Sequence, residues 1–491
     1  MQQLSGFDAT FVSIENPRTP NHVALYFIYD PTTARGGSVS CDDVVANLAR
    51  RVHLVALLRL KLARVPLDLD VPYWVEDPDF DFDYHVRHLV LPEPGTWSQF
   101  TTLLGRLHAR PLDMSRPLWE CYVIEGLNDV EDLSKGAFVL LFKIHHAAID
   151  GQAGVELMNV LHDLSPDAPP PPPAPPWDPP RGPSSAKLLG RGALNLIRSP
   201  VRVAAAVGRV VPGFGRALAA VRSGSLQRPP RGAPPTRFNA PVSARRVTDA
   251  CRVSLTDLKR IKGIVPGATV NDAVLAVFAG ALSQYLESKG ELPSEPLIAI
   301  MPISVRTEDE RAAIGNRVAT TTVSLATDVE DPVERLRAIH ASTSNAKSYV
   351  EAVDARALSE LSNLMPGALV GIAYRAVGRL AQTGAFDHVR PRATATISNT
   401  PGPTVPLYFA GARLVTYAGM GPIYDGGGLI MGPTSYCDDV NFTFTSCPEI
   451  VPDREWFVEC VRQSFYTLLA AAAPPTGSAA PRRAGTHRAR K

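Results

Sequence analysis

The chain has 491 residues, of which 45% are hydrophobic and 20% are charged, with a formal net charge of +2. This length exceeds that of one compact core, so we expect two folded domains with connecting segments. A net charge near zero gives no reason to expect nucleic-acid binding. The apolar residues form no uninterrupted run of about 18, which argues against a membrane-spanning helix.

The N-terminus lacks the basic start and the long apolar core of a secretory signal, so we expect a cytoplasmic protein. The cysteines are scattered and form no CxxC pair, which argues against a zinc site and against a disulfide framework. These cysteines are Cys41, Cys121, Cys251, Cys437, Cys447 and Cys460. The sequence therefore predicts reduced, mostly buried thiols and no metal site.

Residues 1–165 alternate strand and helix patterns, which predicts an α/β domain. The run from His22 to Tyr29 predicts a strand, and residues 42–60 predict a helix. Residues 137–144 predict a buried strand, and the amphipathic residues 152–164 predict a helix. Residues 145–151 therefore form a strand-to-helix loop, where rigid scaffolds commonly present reactive groups.

This loop reads His145-His146-Ala147-Ala148-Ile149-Asp150-Gly151. A neutral imidazole can take the proton of an alcohol as its oxygen attacks a thioester carbonyl, then return it to the departing thiolate. Asp150 either orients a histidine or pairs with an Arg and braces the loop, and the spacing does not choose between these roles. Gly151 lets the chain turn sharply into the helix.

Two alternatives to catalysis are buried structural histidines and a metal site that includes Asp150. A metal site lacks a further placed ligand, and no HExxH motif is present. The chain also has no GxSxG nucleophile elbow and no cysteine in an activating context. Direct acyl transfer without an acyl-enzyme is thus the simpler hypothesis.

Residues 166–240 are expected to form a linker, which is Pro-rich at first and then basic. Arg202, Arg209 and Arg216 recur every seven residues near one helical face, with apolar residues beside them and Pro200 and Pro212 expected to begin or kink helices. Residues 185–222 could lie on an anionic membrane or lipid droplet, or could pack on the protein's own surface with the charges solvated. Both interpretations remain open.

The second folded region is predicted at residues 241–473, with strands at 297–300 and 318–325. Residues 474–491 are rich in Ala, Pro, Gly and Arg, so a disordered basic tail is expected there. Asn271-Asp272 stands at a predicted helix start, and we expect Asn271 to cap this helix or to polarise a carbonyl. Asp272 is expected to be structural.

Further motifs lie in both halves of the chain. They are Leu4–Pro20 followed by His22-Val23, the Pro111–Glu120 segment with Pro117-Leu118-Trp119, Met301–Arg306, Gly315-Asn316, Ser398-Asn399-Thr400-Pro401-Gly402-Pro403, and Leu407–Ala412. With these motifs and the histidine loop, the chain resembles the bacterial wax ester synthase/diacylglycerol acyltransferase family, within the chloramphenicol-acetyltransferase-like and condensation-domain superfamily. The resemblance covers nearly the whole chain outside the linker and the tail.

The resemblance implies two chloramphenicol-acetyltransferase-like α/β domains with mixed sheets and an active-site channel at their interface. It implies His146 as the general base, with His145 and Asp150 supporting the loop, and Asn271 and Gly151 as candidates for binding substrate or an oxyanion. The 117–119 and 398–399 motif residues would shape turns and domain packing. One departure is Ser435-Tyr436-Cys437-Asp438-Asp439, where family members usually carry a short SYxG turn.

The implied reaction transfers a long-chain acyl group from the co-substrate acyl-CoA, without another cofactor. The acceptor would be diacylglycerol, giving triacylglycerol, or a long-chain alcohol, giving a wax ester. One alternative is transfer to another hydroxylated lipid, and another is a non-catalytic lipid-droplet surface protein. The expected location is cytoplasmic, with part of the protein on the inner face of the membrane or on lipid droplets.

Overall fold

The computed structural model describes residues 1–149, 151–180, 182–230, 232–304, 318–353 and 390–472. The α-helices in these ranges are α1 (Gly6–Ile14), α2 (Cys41–Ala49), α3 (Phe82–His85), α4 (Trp97–His108), α5 (Gly151–Leu161), α6 (Ser185–Arg222), α7 (Leu255–Lys262), α8 (Val270–Ser288), α9 (Pro332–Val353) and a C-terminal helix (Arg454–Ala471). Short 3-10 helices lie at Pro31–Thr33, Arg35–Gly37, Val52–Leu54, Ala56–Arg59, Pro66–Asp68 and Arg237–Asn239.

The strands of the same ranges are β1 (Gln2–Gln3), β2 (His22–Asp30), β3 (Leu60–Ala63), β4 (Tyr73–Glu76), β5 (Val86–Val90), β6 (Trp119–Glu125), β7 (Phe138–His145), β8 (Val247–Ser254), β9 (Ile298–Ser304), β10 (Val318–Ser324), β11 (Ala395–Ile397), β12 (Tyr408–Phe409), β13 (Ala412–Met420), β14 (Ile430–Met431), β15 (Thr434–Tyr436) and β16 (Asp439–Ser446). The predicted strands at 22–29, 137–144 and 318–325 are therefore confirmed. The predicted helix at 42–60 is shorter, because α2 ends at Ala49 and β3 begins at Leu60.

The first large sheet has the strand order β12-β13-β2-β7-β6-β5. It is a mixed sheet, because β5 and β6 are parallel while the other neighbours are antiparallel. Every residue of β7 is buried, and alternate side chains enter two separate apolar cores on the two faces of the sheet. This explains the continuous apolar run, since a strand covered on both faces needs no polar alternation.

The second large sheet has the order β10-β9-β11-β14-β16-β15, and β8 pairs with β16. It is also mixed, because β11 runs parallel to β9 and to β14. Helix α8 is buried on nearly all sides, between the C-terminal helix, α9 and α7. A helix that is apolar all round is stable only in such a position.

Two strands from the second half of the sequence belong to the first sheet. β13 pairs with β2 from Arg413 opposite Asp30 to Met420 opposite Ala24, and β12 extends the sheet beyond β13. Without β13, β2 would be an open edge with unpaired backbone groups. The expected division into residues 1–165 and 241–473 did not include this exchange, which holds the two halves together.

Helix α6 is one continuous helix that contains Pro200 and Pro212, so neither proline begins a separate helix. Near its start, Leu188 packs with Val65, which follows β3, and with Tyr73 and Val75 of β4 in the small β1-β4-β3 sheet. Farther along, α6 packs on α9. The helix thus spans from the first half of the protein to the second.

The outward side of α6 carries two different surfaces. One has exposed apolar side chains, among them Val211 at 60% and Phe214 at 46% exposure. Arg198, Arg209 and Arg216 are exposed on the opposite flank, since spacings of 11 and seven residues return to nearly the same helical face. The side chain of Arg202 lies outside the described part. Of the two interpretations of residues 185–222, packing on the protein's own surface is confirmed for the inner face of α6 only.

Candidate active site

The histidine loop follows β7 and is held by the backbones of two neighbouring segments. The His145 N–H donates to the carbonyl of Leu118 at 3.0 Å, and the His146 N–H donates to the carbonyl of Asn21 at 2.7 Å. A tight turn follows, in which the Ala148 N–H donates to the carbonyl of His145 at 2.9 Å. Both histidines are therefore placed by a strand that is itself rigid and buried.

His145 is fully buried and both of its ring nitrogens are engaged. Its Nδ1 accepts from the Ala147 N–H at 3.1 Å, so the ring proton must lie on Nε2. That Nε2 donates to Glu15 Oε2 at 2.9 Å. A histidine with this geometry cannot take a proton from a substrate, but it can fix the turn that presents the next residue.

His146 lies at the open side of the same turn. It is only partly buried, and it stacks on Phe11 of α1 with ring centroids 4.2 Å apart and planes 11° apart. The Phe11 carbonyl accepts from Asn21 Nδ2 at 3.0 Å. Asn21 thus ties α1 to the loop, because its carbonyl also accepts from the His146 N–H.

His146 forms part of the wall of a cavity between the two large sheets. The cavity has about 880 Å³ of empty space, part of it open to solvent. Its other lining residues are Val23, Leu25, Ile149, Gly154, Met158, Ser398, Thr400, Tyr417, Gly419, Met420, Gly421, Pro422, Ile430, Gly432, Thr434 and Thr445. The lining is mostly apolar and comes from both halves of the chain, as is usual for a small-molecule binding site.

Asp150 and Gly151 complete the loop motif. Asp150 lies outside the described residues, so its expected role in orienting a histidine or bracing the loop stays a prediction. Gly151 is the first residue of α5. The helix therefore begins where the sequence predicted a sharp turn.

The structure corrects the expected capping role of Asn271. Helix α8 is capped by Thr269, whose side chain accepts from the Asp272 N–H while the Asp272 carboxylate accepts from the Thr269 N–H. The Asn271 side chain instead donates to Met301 Sδ at 3.4 Å and accepts from Asn399 Nδ2 at 3.2 Å. Asn271 and Asn399, from two separate motifs, therefore meet next to Ser398 in the cavity wall.

Asp272 is buried and bonded to two residues of α9. It accepts from Thr343 Oγ1 at 2.6 Å and lies 2.9 Å from His340 Nδ1. These bonds join the start of α8 to α9, which agrees with the expected structural role.

The Pro117-Leu118-Trp119 motif braces the end of β7. The Trp119 indole N–H donates to the Leu58 carbonyl at 2.8 Å, and the ring stacks on His85. The Pro117 carbonyl accepts from the Trp119 N–H at 2.9 Å, and Leu118 supplies the acceptor for His145. Of the 398–399 pair, which was expected to shape turns and domain packing, Ser398 follows β11 and lines the cavity.

Several residues of the site carry no signal in the sequence. Phe11 and Glu15 lie inside the N-terminal motif, but nothing in their spacing links them to a loop some 130 positions later. Asn21 precedes a strand and carries no pattern of its own. Residues 435–439, where family members usually carry a short SYxG turn, form a β-turn between β15 and β16, with Cys437 at a φ of 53°.

Two mixed-sheet α/β halves enclose a cavity that His146 lines, and comparison with known proteins assigns this arrangement to a class of acyltransferases. The family description "Wax ester synthase/diacylglycerol acyltransferase catalytic domain" matches residues 4–274, and "WS/DGAT C-terminal domain" matches residues 314–469. The chain belongs to the wax ester synthase/diacylglycerol acyltransferase family, and it is an acyltransferase.

Individual relatives cover nearly the full chain. A protein of Mycobacterium tuberculosis (strain CDC 1551 / Oshkosh), provisionally named a diacylglycerol O-acyltransferase, is 33% identical over 92% of this chain and 87% of its own. The wax ester synthase/diacylglycerol acyltransferase of Marinobacter aquaeolei VT8 is 26% identical with a TM-score of 0.66, covering 96% of this chain and 100% of that one. The first condensation domain of the calcium-dependent antibiotic synthetase shares the fold, with 15% identity, a TM-score of 0.55 and 97% coverage of both chains. The expected fold class is therefore confirmed.

Proposed function

We propose that the protein transfers a long-chain acyl group from acyl-CoA to the hydroxyl of diacylglycerol or of a long-chain alcohol, with His146 as the general base. The alcohol oxygen forms a bond to the thioester carbonyl carbon as the carbon–sulfur bond breaks. The imidazole takes the hydroxyl proton and returns it to the CoA thiolate, so no cofactor beyond the co-substrate is consumed. The products are an ester and free CoA.

One observation carries this proposal: His146 is the partly exposed histidine of the pair, and its ring forms part of the wall of the apolar cavity. His145 supports it by holding the turn through Glu15 and Ala147. Asp150 is proposed to brace or orient the same loop. Asn271 and the backbone of Gly151 are the residues proposed to polarise the thioester carbonyl.

The test measures CoA release from a long-chain acyl-CoA with diacylglycerol, with a long-chain alcohol and without acceptor. A general base contributes about 10²- to 10⁴-fold, so His146→Ala should lose at least about 100-fold in kcat with both acceptors. The exposed His88, in β5, provides a control, because His88→Ala should keep wild-type activity. Full activity of His146→Ala would refute the mechanism, and an acyl-enzyme detected by mass spectrometry in a single turnover would refute direct transfer.

We also propose that α6 holds the protein peripherally on an anionic membrane or a lipid droplet. Its exposed Arg flank suits anionic headgroups, and its exposed apolar flank suits acyl chains. No helix within the described ranges is long and apolar enough to cross a bilayer. Replacing Arg198, Arg209 and Arg216 by Glu should lower co-sedimentation with anionic liposomes, and unchanged co-sedimentation would remove this role.

A further inference from the structure

One face of helix α1 contacts both histidines of the loop. Phe11 stacks on the His146 ring, with ring centroids 4.2 Å apart and planes 11° apart. Glu15, which caps the C-terminal end of α1, accepts from His145 Nε2 at 2.9 Å. Residues four positions apart lie on the same face of a helix, so a single stripe of α1 reaches both histidines.

Asn21 links the two backbones that carry the stacked rings. Its side-chain Nδ2 donates to the Phe11 carbonyl at 3.0 Å, and its own carbonyl accepts from the His146 N–H at 2.7 Å. Asn21 is fully buried, so water does not compete for these bonds. The Phe11 side chain also packs against the apolar core that contains Val12. The stack therefore joins two segments that are fixed relative to each other.

The stacked contact leaves the reactive edge of the imidazole available. An imidazole gives and takes protons at its two nitrogens, whose hydrogens and lone pairs lie in the ring plane. Phe11 covers a face of the ring and, as a hydrocarbon, forms no hydrogen bond with a nitrogen. The torsion that turns a histidine ring has a broad range of preferred angles, so a neighbour is needed to define its plane. A stacked phenyl ring defines the plane without occupying a nitrogen.

We propose that Phe11 is a positioning residue, which fixes the ring plane of His146 so that an imidazole nitrogen meets the acceptor hydroxyl in the cavity. This inference rests on the proposed function, in which His146 is the general base. Phe11 is not among the described residues that line the cavity, so it acts through the histidine and not through contact with a substrate. Its loss should therefore slow the chemical step and leave substrate binding unchanged.

The first experiment measures kcat and KM for CoA release from a long-chain acyl-CoA with dioleoylglycerol as acceptor. Phe11→Leu keeps an apolar side chain but removes the flat ring. Small misplacements of a catalytic group cost up to about 100-fold, so this variant should lose about 10- to 100-fold in kcat and keep both KM values within about two-fold. Phe11→Tyr retains a ring that can stack and should keep kcat within about three-fold.

Phe7 provides the matched control, because it lies one turn earlier on the same face of α1. In the described part of the chain its ring meets the edge of Phe11, at 5.3 Å and 89°, and has no ring contact with His146. Phe7→Leu is thus the same substitution in the same helix without loss of the stack, and its kcat should stay within about three-fold of wild type. Thermal unfolding of each variant sets an assay temperature at which all are folded.

A double-mutant cycle tests whether Phe11 acts through His146. Phe11→Leu is combined with His146→Ala, and the residual rate is compared with that of His146→Ala alone. A residue that only positions the imidazole has nothing to position in this background, so the second substitution should change the rate by less than about two-fold.

The outcomes that overturn the inference differ from those that overturn the proposed function. A wild-type kcat in folded Phe11→Leu would overturn the inference alone, provided that His146→Ala is impaired. Equal losses from Phe11→Leu in the wild-type and His146→Ala backgrounds would also overturn it, and so would a loss confined to KM. Full activity of His146→Ala would instead refute the proposed base.

Discussion

At the scale of single residues, the adjacent His145 and His146 differ in burial because strand β7 ends between them. His145 is the last residue of β7 and points into the protein, whereas His146 lies in the turn and faces the cavity. The sequence shows the histidine pair directly, and it predicted the strand before the pair and the helix after it. It could not predict Glu15, because the hydrogen bond to His145 joins residues 130 positions apart and depends on how α1 packs.

Glu15 should therefore matter for activity although it does not line the cavity. Glu15→Ala leaves the buried His145 Nε2–H without its acceptor, so we expect a loss of about 1–3 kcal/mol in unfolding free energy and at least about 10-fold in kcat. Glu15→Gln retains a carbonyl oxygen as acceptor and should recover most of both. Urea unfolding and initial rates measure the two effects.

The pair of variants distinguishes positioning from simple stability. The rates are compared at a temperature where each variant is fully folded. Equal kcat values for Glu15→Ala and wild type under that condition would mean that His145 does not need Glu15 to hold the catalytic turn.

At the scale of elements, helix starts were easier to predict than helix environments. The sequence placed a helix start at residues 271–272, and α8 does begin at Val270. Of the two roles expected for Asn271, capping is wrong, because Thr269 and Asp272 form the capping box, which joins residues three apart. For helix α6, the spacing of the Arg residues is visible in the sequence, but the face that packs on α9 could not be predicted from it.

The contact between α6 and α9 depends on Gly213. A Cβ on Gly213 would lie 2.1 Å from the carbonyl oxygen of Val353, whereas a Cβ on Gly215 would meet nothing within 4 Å. We expect Gly213→Ala to lower the unfolding free energy by about 1–3 kcal/mol, because the backbone of α9 cannot move aside without cost. Gly215→Ala should be neutral or stabilise by up to about 1 kcal/mol, since alanine favours a helix over glycine.

Limited trypsin digestion gives a local measurement of the same contact, because α6 carries exposed arginines such as Arg209 and Arg216. Cleavage in α6 should be faster in Gly213→Ala than in wild type and no faster in Gly215→Ala. Equal cleavage rates in the two variants would show that α6 is not held to α9 at this glycine.

At the scale of the whole molecule, the sequence predicted two α/β halves but not the way they are joined. β13 reads as an ordinary strand of the second half, and nothing local indicates that its partner is β2, nearly 400 residues earlier. Strand pairing is decided by long-range packing and not by the residues of one strand. The cavity wall contains parts of β13, so its composition could not be predicted either.

Buried histidines make the free energy of unfolding of the whole molecule depend on pH in the acid range. Burial lowers the pKa of His108 to about 3 and that of His162 to about 4, and it places the pKa of His22 well below the ordinary value. Neighbouring positive charge acts in the same direction, from Lys143 on His22 and from Arg51 on His162. All three histidines therefore stay neutral in the folded protein while they take up protons in the unfolded chain below about pH 6.5.

The sign of the effect follows from proton binding. Because the folded pKa values are depressed, this contribution to stability is complete above about pH 6.5 and is lost as the pH falls toward 4 and 3. Each histidine should remove up to about 1.4 kcal/mol per pH unit within that window. Urea unfolding should thus show the steepest loss below pH 6. Between pH 6 and 5, His162→Gln should show a slope smaller by about 1 kcal/mol per pH unit, and an unchanged slope would mean that His162 is already protonated in the folded protein.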